Sequence, residues 1–593
     1  MKIRRLIIKN FRGIREMEWN IQGDMVCLIG PGDSTKTTIL LALEFLFSPS
    51  WTLSVSDIDF YNANPDQPIE ITGVVTELPE SLIEEDKFGL YLGFWDTQNG
   101  QIYEEQKNDS CEKALQVRLE IGNDLEPKWF VVSLQTNGRE PKQISASERR
   151  ELGVAKIGNY VDTDLAWGRN SALSRLTQKE DISQIPSLLA EAERKVLQAL
   201  KNIGFDSLTA AIESAKSSAK SLGVDAQEEL LASLDPTRVS IRQGAVALFD
   251  GGLPFSLRGA GSRRLMAMAV HKASVNNGAV LLIDEIENSL EPYRVRHLIR
   301  QLRPKPDDKH QVIFTTHSSV AVVECRSNEL YVVRSENGKT NVLPVHQTLQ
   351  SQYLDAQAIV RSVPEAFLSK KVIVCEGKTE SGFLISLDLY FWQQRHADKP
   401  GEHAYQTMAE AGALPVESPK AGGSEAPKYA VALAKLGYKV AYFGDSDRDL
   451  NPSAEDMRQQ GIKVIVWDEN VEIERRLCRD LPLEGLKELV DLAISLDERE
   501  NASQLVWDAV NRQLNNGHTS QAIQDFDTLI HTFDEQIVRD TIGAAADKGC
   551  WFKRRGKGEK FGELVSRYLD PMHDTPTMKT LQALEGWCYE RPI

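Results

Sequence analysis

The chain has 593 residues, of which 41% are hydrophobic and 26% charged, and a formal net charge of −17. That length allows two to four domains with cores of their own, and so large an acidic surplus excludes binding nucleic acid through the overall field. Any such contact must be a local basic patch or run through bound metal.

Other global features are also restrictive. No apolar run approaches the roughly 20 residues that span a bilayer. Cys27, Cys111, Cys325, Cys375, Cys478, Cys550 and Cys588 form no Cys-x-x-Cys pair, so no zinc knuckle is expected. Met1-Lys2-Ile3-Arg4-Arg5 leads into a strand pattern, not a signal peptide, and the expectation is a soluble cytoplasmic protein without membrane contact. The visible basic patches are Arg4-Arg5 and the run Lys553 to Lys560.

In chain order, Ile3 to Ile8 reads as a strand and Asn10 to Ile14 turns into a second. Met25 to Ile29 is a continuous apolar run, as a strand buried on both faces requires. Gly30-Pro31-Gly32-Asp33-Ser34-Thr35-Lys36-Thr37 follows at once, and Thr37 to Phe47 reads as a helix. Ile69 to Val75, Phe88 to Trp95 and Trp129 to Leu134 are β-like and broken by Asn and Gly turns, which predicts an antiparallel region. Residues 185–234 carry apolar side chains at three- and four-residue spacings and predict a helical insert, either packing helices of the same domain or a dimerisation arm. Strand patterns return from Val239 with a turn at Asp250-Gly251-Gly252. A glycine-rich segment and helix follow, then buried strands at Ala279 to Ile283 and Gln311 to Thr315. From Lys370 the pattern alternates: strands at Val372 to Cys375, Ala413 to Glu417, Val440 to Phe443 and Lys463 to Trp467, with helices at Thr379 to Phe391 and Ala426 to Leu436. Such alternation implies a parallel sheet with helical crossovers. Residues 476–593 read as mainly helical.

Two sets of residues carry chemistry. A phosphate-binding loop needs inward N–H groups, a lysine for the β and γ phosphates and a hydroxyl for magnesium. Gly30, Gly32, Ser34, Thr35, Lys36 and Thr37 are the candidates, with Thr35 standing where a glycine is usual before the lysine. Asp284 ends an apolar strand and is expected to hold magnesium with Thr37, and Glu285 to polarise the attacking water. In the second set, Glu376 follows a buried strand, and Asp445 and Asp447 follow another, two residues apart. Hard oxygen ligands of this kind suit Mg2+ or Mn2+. Glu380, Glu472, Asp468 and Glu474 are further candidate ligands. A lysine of the C-terminal run, Lys560 or Lys557, is the candidate for stabilising a phosphate under attack.

The first set resembles the ABC-type ATPase heads of the SMC class. By that resemblance, Ser256-Leu257-Arg258-Gly259-Ala260-Gly261-Ser262 looks like the signature loop that completes a partner's site through Gly261 and Ser262. His317 matches the switch histidine. The second set resembles a TOPRIM domain. The two together resemble the OLD (overcoming lysogenization defect) family, which includes Gabija-type and retron-associated antiphage nucleases.

The resemblance implies an α/β ABC-type head in residues 1–184 and 235–360, the insert at 185–234, a TOPRIM core at 370–475 and C-terminal helices at 476–593. It implies an ATP-regulated, Mg2+- or Mn2+-dependent DNA endonuclease acting as a homodimer or homotetramer, with Glu285, Glu376, Asp445, Asp447 and Lys560 as catalytic residues. A helicase, reverse transcriptase or other defence protein encoded nearby is a candidate partner. The alternative is an ATPase sensor or scaffold for a partner effector, with the second site acting on RNA or inactive.

Overall fold

The computed structural model describes residues 1–133, 139–158, 162–167, 247–274, 280–305, 308–350, 355–398, 407–418, 425–515 and 522–589, with scattered residues between 171 and 195. Most of the expected helical insert at 185–234 lies outside the described residues.

A 14-stranded mixed sheet dominates the first half of the chain. Its parallel part runs Val154–Ile157, Val280–Ile283, Gln311–Thr315, Met25–Ile29 and Leu330–Glu336, side by side. Lys339–Pro344 folds back on Leu330–Glu336 and leads through Ile14–Asn20 to an antiparallel part. That part comprises Lys2–Phe11, Ile69–Thr76, Cys111–Ile121, Gly93–Asp96 and Gln101–Tyr103. The antiparallel expectation for residues 69–135 is met, with two differences. Residues 89–91 form a 3-10 turn and only Gly93–Asp96 is strand, and the longest strand of the region is Cys111–Ile121.

Alternate residues of the central strands feed two cores. Met25, Cys27 and Ile29 face one, Val26 and Leu28 the other, and Val280–Ile283 divides in the same way. This two-faced burial is why these segments read as unbroken apolar runs.

The second sheet has four parallel strands in the order Ala413–Glu417, Lys371–Cys375, Lys439–Gly444, Lys463–Val466. Its strand positions agree with the sequence reading to within a residue or two. Val372 and Val374 point into the same apolar core that lies under the large sheet, together with Val360, Phe367 and Tyr429. Ile373 and Cys375 point the other way, into a core built with the C-terminal helices.

Glycines set the closest approach in that second core. Helix Lys378–Leu387 packs on helix Arg555–Ser566, and at three glycines the backbones meet directly, beside the packed rings of Phe383 and Phe561. A Cβ at Gly382 would fall on the Arg555 carbonyl oxygen. One at Gly558 would come within 2.6 Å of the Thr379 carbonyl oxygen, and one at Gly562 within 2.6 Å of the Phe383 carbonyl oxygen. Backbone atoms cannot turn aside as a side chain can. Gly382→Ala is therefore expected to destabilise the fold by about 2–3 kcal/mol. Gly556→Ala, on the same C-terminal helix with open space around it, is expected to be neutral or stabilising, by up to about 1 kcal/mol. Chemical denaturation of the two variants side by side reads the difference, and equal midpoints would refute the packing argument.

Candidate functional site

The nucleotide loop sits between the buried strand Met25–Ile29 and helix Lys36–Leu46. Gly30 has φ 139°, and a Cβ there would lie 2.7 Å from the Val333 carbonyl oxygen, so only glycine serves. Gly32 has open space around it. Lys36 is buried and donates to the carbonyl oxygens of Gly30 (3.0 Å) and Pro31 (2.7 Å) and to Ser34 Oγ (3.0 Å). Burial, with the charge of Arg334 in support, brings its pKa down to about 8. Thr35 has φ 69°, the left-handed conformation expected where glycine is usual.

The magnesium side of the loop is assembled across the sheet. Thr37 Oγ1 donates to Asp284 Oδ1 at 3.1 Å, and Thr315 Oγ1 donates to the same oxygen at 2.7 Å. Glu285 adopts φ 48°, and its N–H donates to Thr315 Oγ1 at 2.8 Å. The Arg264 guanidinium donates to the carbonyl oxygens of Asp284 and Glu285, which fixes this strand end. Glu287 accepts from Thr316 Oγ1 and from the His317 N–H, both at 2.7 Å. His317 has its pKa lowered by burial and by Lys36. Gly261 and Ser262 open helix Ala260–Ser274, where Gly261 packs on the Ser289 carbonyl. Nothing in the spacing of Arg264, Thr315 and Glu287 marks them in the sequence.

The second constellation surrounds a cavity of about 840 Å3. Its lining includes Glu376, Glu380, Asp445, Asp447, Glu472 and Lys553. The C-terminal ends of two adjacent parallel strands deliver Glu376 and Asp445, and these are locked together: the Asp445 N–H donates to Glu376 Oε2 at 2.9 Å. Asp445 Oδ1 accepts from the Ile473 N–H at 2.8 Å. Gly444 makes room here, since a Cβ would lie 2.9 Å from Glu376 Cβ and 2.7 Å from the Tyr442 hydroxyl. Gly377 leaves room for the Glu380 carboxylate, 2.9 Å from where its Cβ would be.

Burial raises the pKa of Glu376, Glu380, Asp445 and Glu474, and for Asp445 the crowding of Glu380, Glu376 and Glu474 adds to it. Glu474 is fully buried, and neither of its oxygens has a hydrogen-bond partner; its neighbour is Lys553 Nζ at 3.5 Å. Burial opposes the charge on Lys553, but Glu474, Asp547, Asp445 and Glu380 outweigh it and raise its pKa.

Among the described residues, no three His, Cys, Asp or Glu side chains are gathered tightly enough to hold one ion as they stand. The hydrogen bonds to Glu376 and Asp445 nevertheless each occupy one oxygen and leave the other available. The all-carboxylate donor set of the lining fits a hard divalent cation, whereas Glu474 is outside the lining and meets Lys553 at 3.5 Å.

The structure does not bring Lys560 to this cavity. Lys560 is exposed and paired with Glu563 at 2.8 Å, one turn along helix Arg555–Ser566. Lys557 is absent from the lining as well, and Lys553 is the lysine that faces the acids. Thr379 Oγ1 donates to the Phe552 carbonyl at 3.0 Å, which pins this segment beside Glu380. Asp468 is exposed and outside the lining.

Comparison with known proteins defines the first half. Residues 101–324 match the family model described as "AAA domain, putative AbiEii toxin, Type IV TA system", and residues 1–121 match that of an "AAA ATPase domain". Similar solved structures include an SMC head bound to the C-terminal winged-helix domain of ScpA. It is 15% identical, with 58% of this chain and 98% of that chain covered and a TM-score of 0.32. The SMC head domain from Thermotoga maritima is 16% identical, with 58% and 99% covered and a TM-score of 0.27. The Pyrococcus furiosus Smc head with an extended coiled coil, bound to the C-terminal domain of ScpA, is 14% identical, with 57% and 95% covered and a TM-score of 0.31. No curated protein matches the chain.

With the loop geometry, the family models mark the N-terminal part as similar to AAA ATPase domains. Its ligand is ATP. Among the described residues no helix is long and apolar enough to cross a membrane.

Proposed function

We propose that the chain is an ATP-regulated, divalent-metal-dependent DNA endonuclease of the OLD kind, and that it serves in defence against phage. The observation that carries this reading is the acid-lined cavity: Glu376, Glu380, Asp445 and Asp447 around one space, Glu474 buried beside them without hydrogen-bond partners, and Lys553 facing them. Glu376, Glu380, Asp445 and Asp447 would hold Mg2+ or Mn2+, with Glu472 as a further donor. Such ions supply an activated water and stabilise the leaving oxygen of a phosphodiester.

The chain's own residues do the rest. The acids keep Lys553 protonated, ready to neutralise a phosphate oxygen. Lys378, Arg448 and Arg555 line the same cavity and give an otherwise acidic protein the local positive rim that DNA phosphates need. The toxin wording of the matched family model is in keeping with a defence role. A homodimer or homotetramer, and a partner protein encoded nearby, belong to the same reading.

The test is direct. The full chain is expected to nick or cut DNA with Mg2+ or Mn2+ and to stop on addition of EDTA. Supercoiled, linear and single-stranded DNA left intact with either metal, with and without ATP, would overturn the reading. Light scattering with and without ATP reads the oligomer, and a monomer under both conditions would remove that part of it.

A further inference from the structure

The nucleotide loop departs from the usual pattern at one residue, and its surroundings are shaped to that departure. Thr35 has φ 69° and ψ 11°, a conformation that a β-branched side chain resists. It is the residue from which helix Lys36–Leu46 starts, its carbonyl accepting from the Ile39 N–H at 3.0 Å, so its backbone angle aims Lys36.

Two contacts meet its side chain from one place. Thr35 Oγ1 lies 3.2 Å from Thr340 Oγ1, and Thr35 Cγ2 lies 3.2 Å from where Gly13 would carry a Cβ. Gly13 precedes strand Ile14–Asn20, and Thr340 belongs to Lys339–Pro344, which pairs with that strand through Thr340 and Met17. One pair of strands therefore presents both the hydroxyl and the gap. Thr340 is buried, at 2% exposure, and its Oγ1 is also 3.1 Å from Ser335 Oγ.

The proton arrangement follows from chemistry. Thr35 Oγ1 is 2.6 Å from the Ser34 carbonyl oxygen, which can only accept. Thr340 donates its own proton to Ser335 Oγ, so the proton between the two threonines comes from Thr35, whose hydroxyl is shared between the Ser34 carbonyl oxygen and Thr340 Oγ1.

We propose that Gly13, Thr35 and Thr340 are a co-adapted set that holds the nucleotide loop in its phosphate-binding shape, with Thr340 a positioning residue for ATP that acts only through Thr35. The glycine missing from the loop is replaced by a pair: a hydroxyl that anchors the threonine and a glycine opposite that makes room for its methyl group.

A double-mutant cycle in the full chain, with ATP titrated by calorimetry, tests this. Thr340→Val is expected to weaken ATP binding about fivefold. The loss should appear in KM, with kcat kept within about twofold. Thr340→Ser, which keeps the hydroxyl, is expected to bind like the wild type. In a Thr35→Gly background, Thr340→Val should change ATP affinity by less than about twofold. Gly13→Ala should likewise weaken ATP binding in the Thr35 chain and not in the Thr35→Gly chain. An equal loss from Thr340→Val in both backgrounds, or none in either, would overturn the proposal. So would a Thr340→Ser variant as weak as Thr340→Val. Melting temperature without nucleotide identifies a variant that fails by unfolding, and the Thr35→Gly comparison then decides.

Discussion

Asp445→Asn is expected to lower metal-dependent DNA cleavage by about a thousandfold or more, with ATP binding kept within about twofold. The substitution isolates charge. An asparagine still accepts the Ile473 N–H through its Oδ1, so the bond that seats residue 445 survives. What disappears is a carboxyl that can ionise to meet a cation beside Glu376, Glu380 and Glu474. Burial, with those neighbours in support, pushes the Asp445 carboxyl up to about 9, so at neutral pH it holds a proton until a cation takes that proton's place, and the bound cation then stabilises the fold. A second readout follows that needs no substrate. Mn2+ should raise the melting temperature of the wild type, and raise that of Asp445→Asn much less. With EDTA present the variant should melt at or above the wild type. A variant that keeps cleavage, or gains the same stabilisation from Mn2+, would remove Asp445 from the site.

Lys36→Ala is expected to weaken ATP binding by about a hundredfold. Lys36 is held by three acceptors of its own loop and buried at 4% exposure. Burial already holds its pKa down to about 8, so a nearby phosphate is the group that would best settle its charge. Removing the side chain removes a buried charge along with its bonds, so the nucleotide-free fold should lose little stability. Cleavage by Lys36→Ala should then be the same with and without ATP, which separates a regulatory nucleotide from a dispensable one. Calorimetric affinity within about threefold of the wild type would contradict the role given to this lysine.

The two sites differ in how far the sequence revealed them. Met25–Ile29, Val280–Ile283, Gln311–Thr315 and Lys371–Cys375 were legible because a strand buried on both faces has no polar position to interrupt it. The turn chemistry placed Gly30 and Lys36 directly after the first, and Glu376 after the last. Strand order was not legible: nothing local tells that Val154–Ile157 lies beside Val280–Ile283. Cys111–Ile121 escaped because its opening residues, Cys111-Glu112-Lys113, are polar or half-buried.

The basic run misled for a different reason. Lys560 and Lys557 stand out by charge and chain position alone, whereas the fold uses Gly558 of that run, with Gly562 just beyond it, to seat a helix. That seating leaves Lys553, before the helix begins, beside the acids. Thr340 carries no motif and becomes visible only when its distance to Thr35 is known.

The glycine contacts between Lys378–Leu387 and Arg555–Ser566 leave Glu380 on a helix whose backbone rests directly on its neighbour at three points. A message from bound nucleotide would meet a stiff floor there. Another part of the lining is different: Ser362, Val363, Pro364 and Glu365, which also line the cavity, come from the connector between the two sheets. Nucleotide control routed through this stretch would widen or narrow the doorway and leave the acids at fixed spacing. It would alter how fast substrate enters far more than how fast an entered substrate reacts.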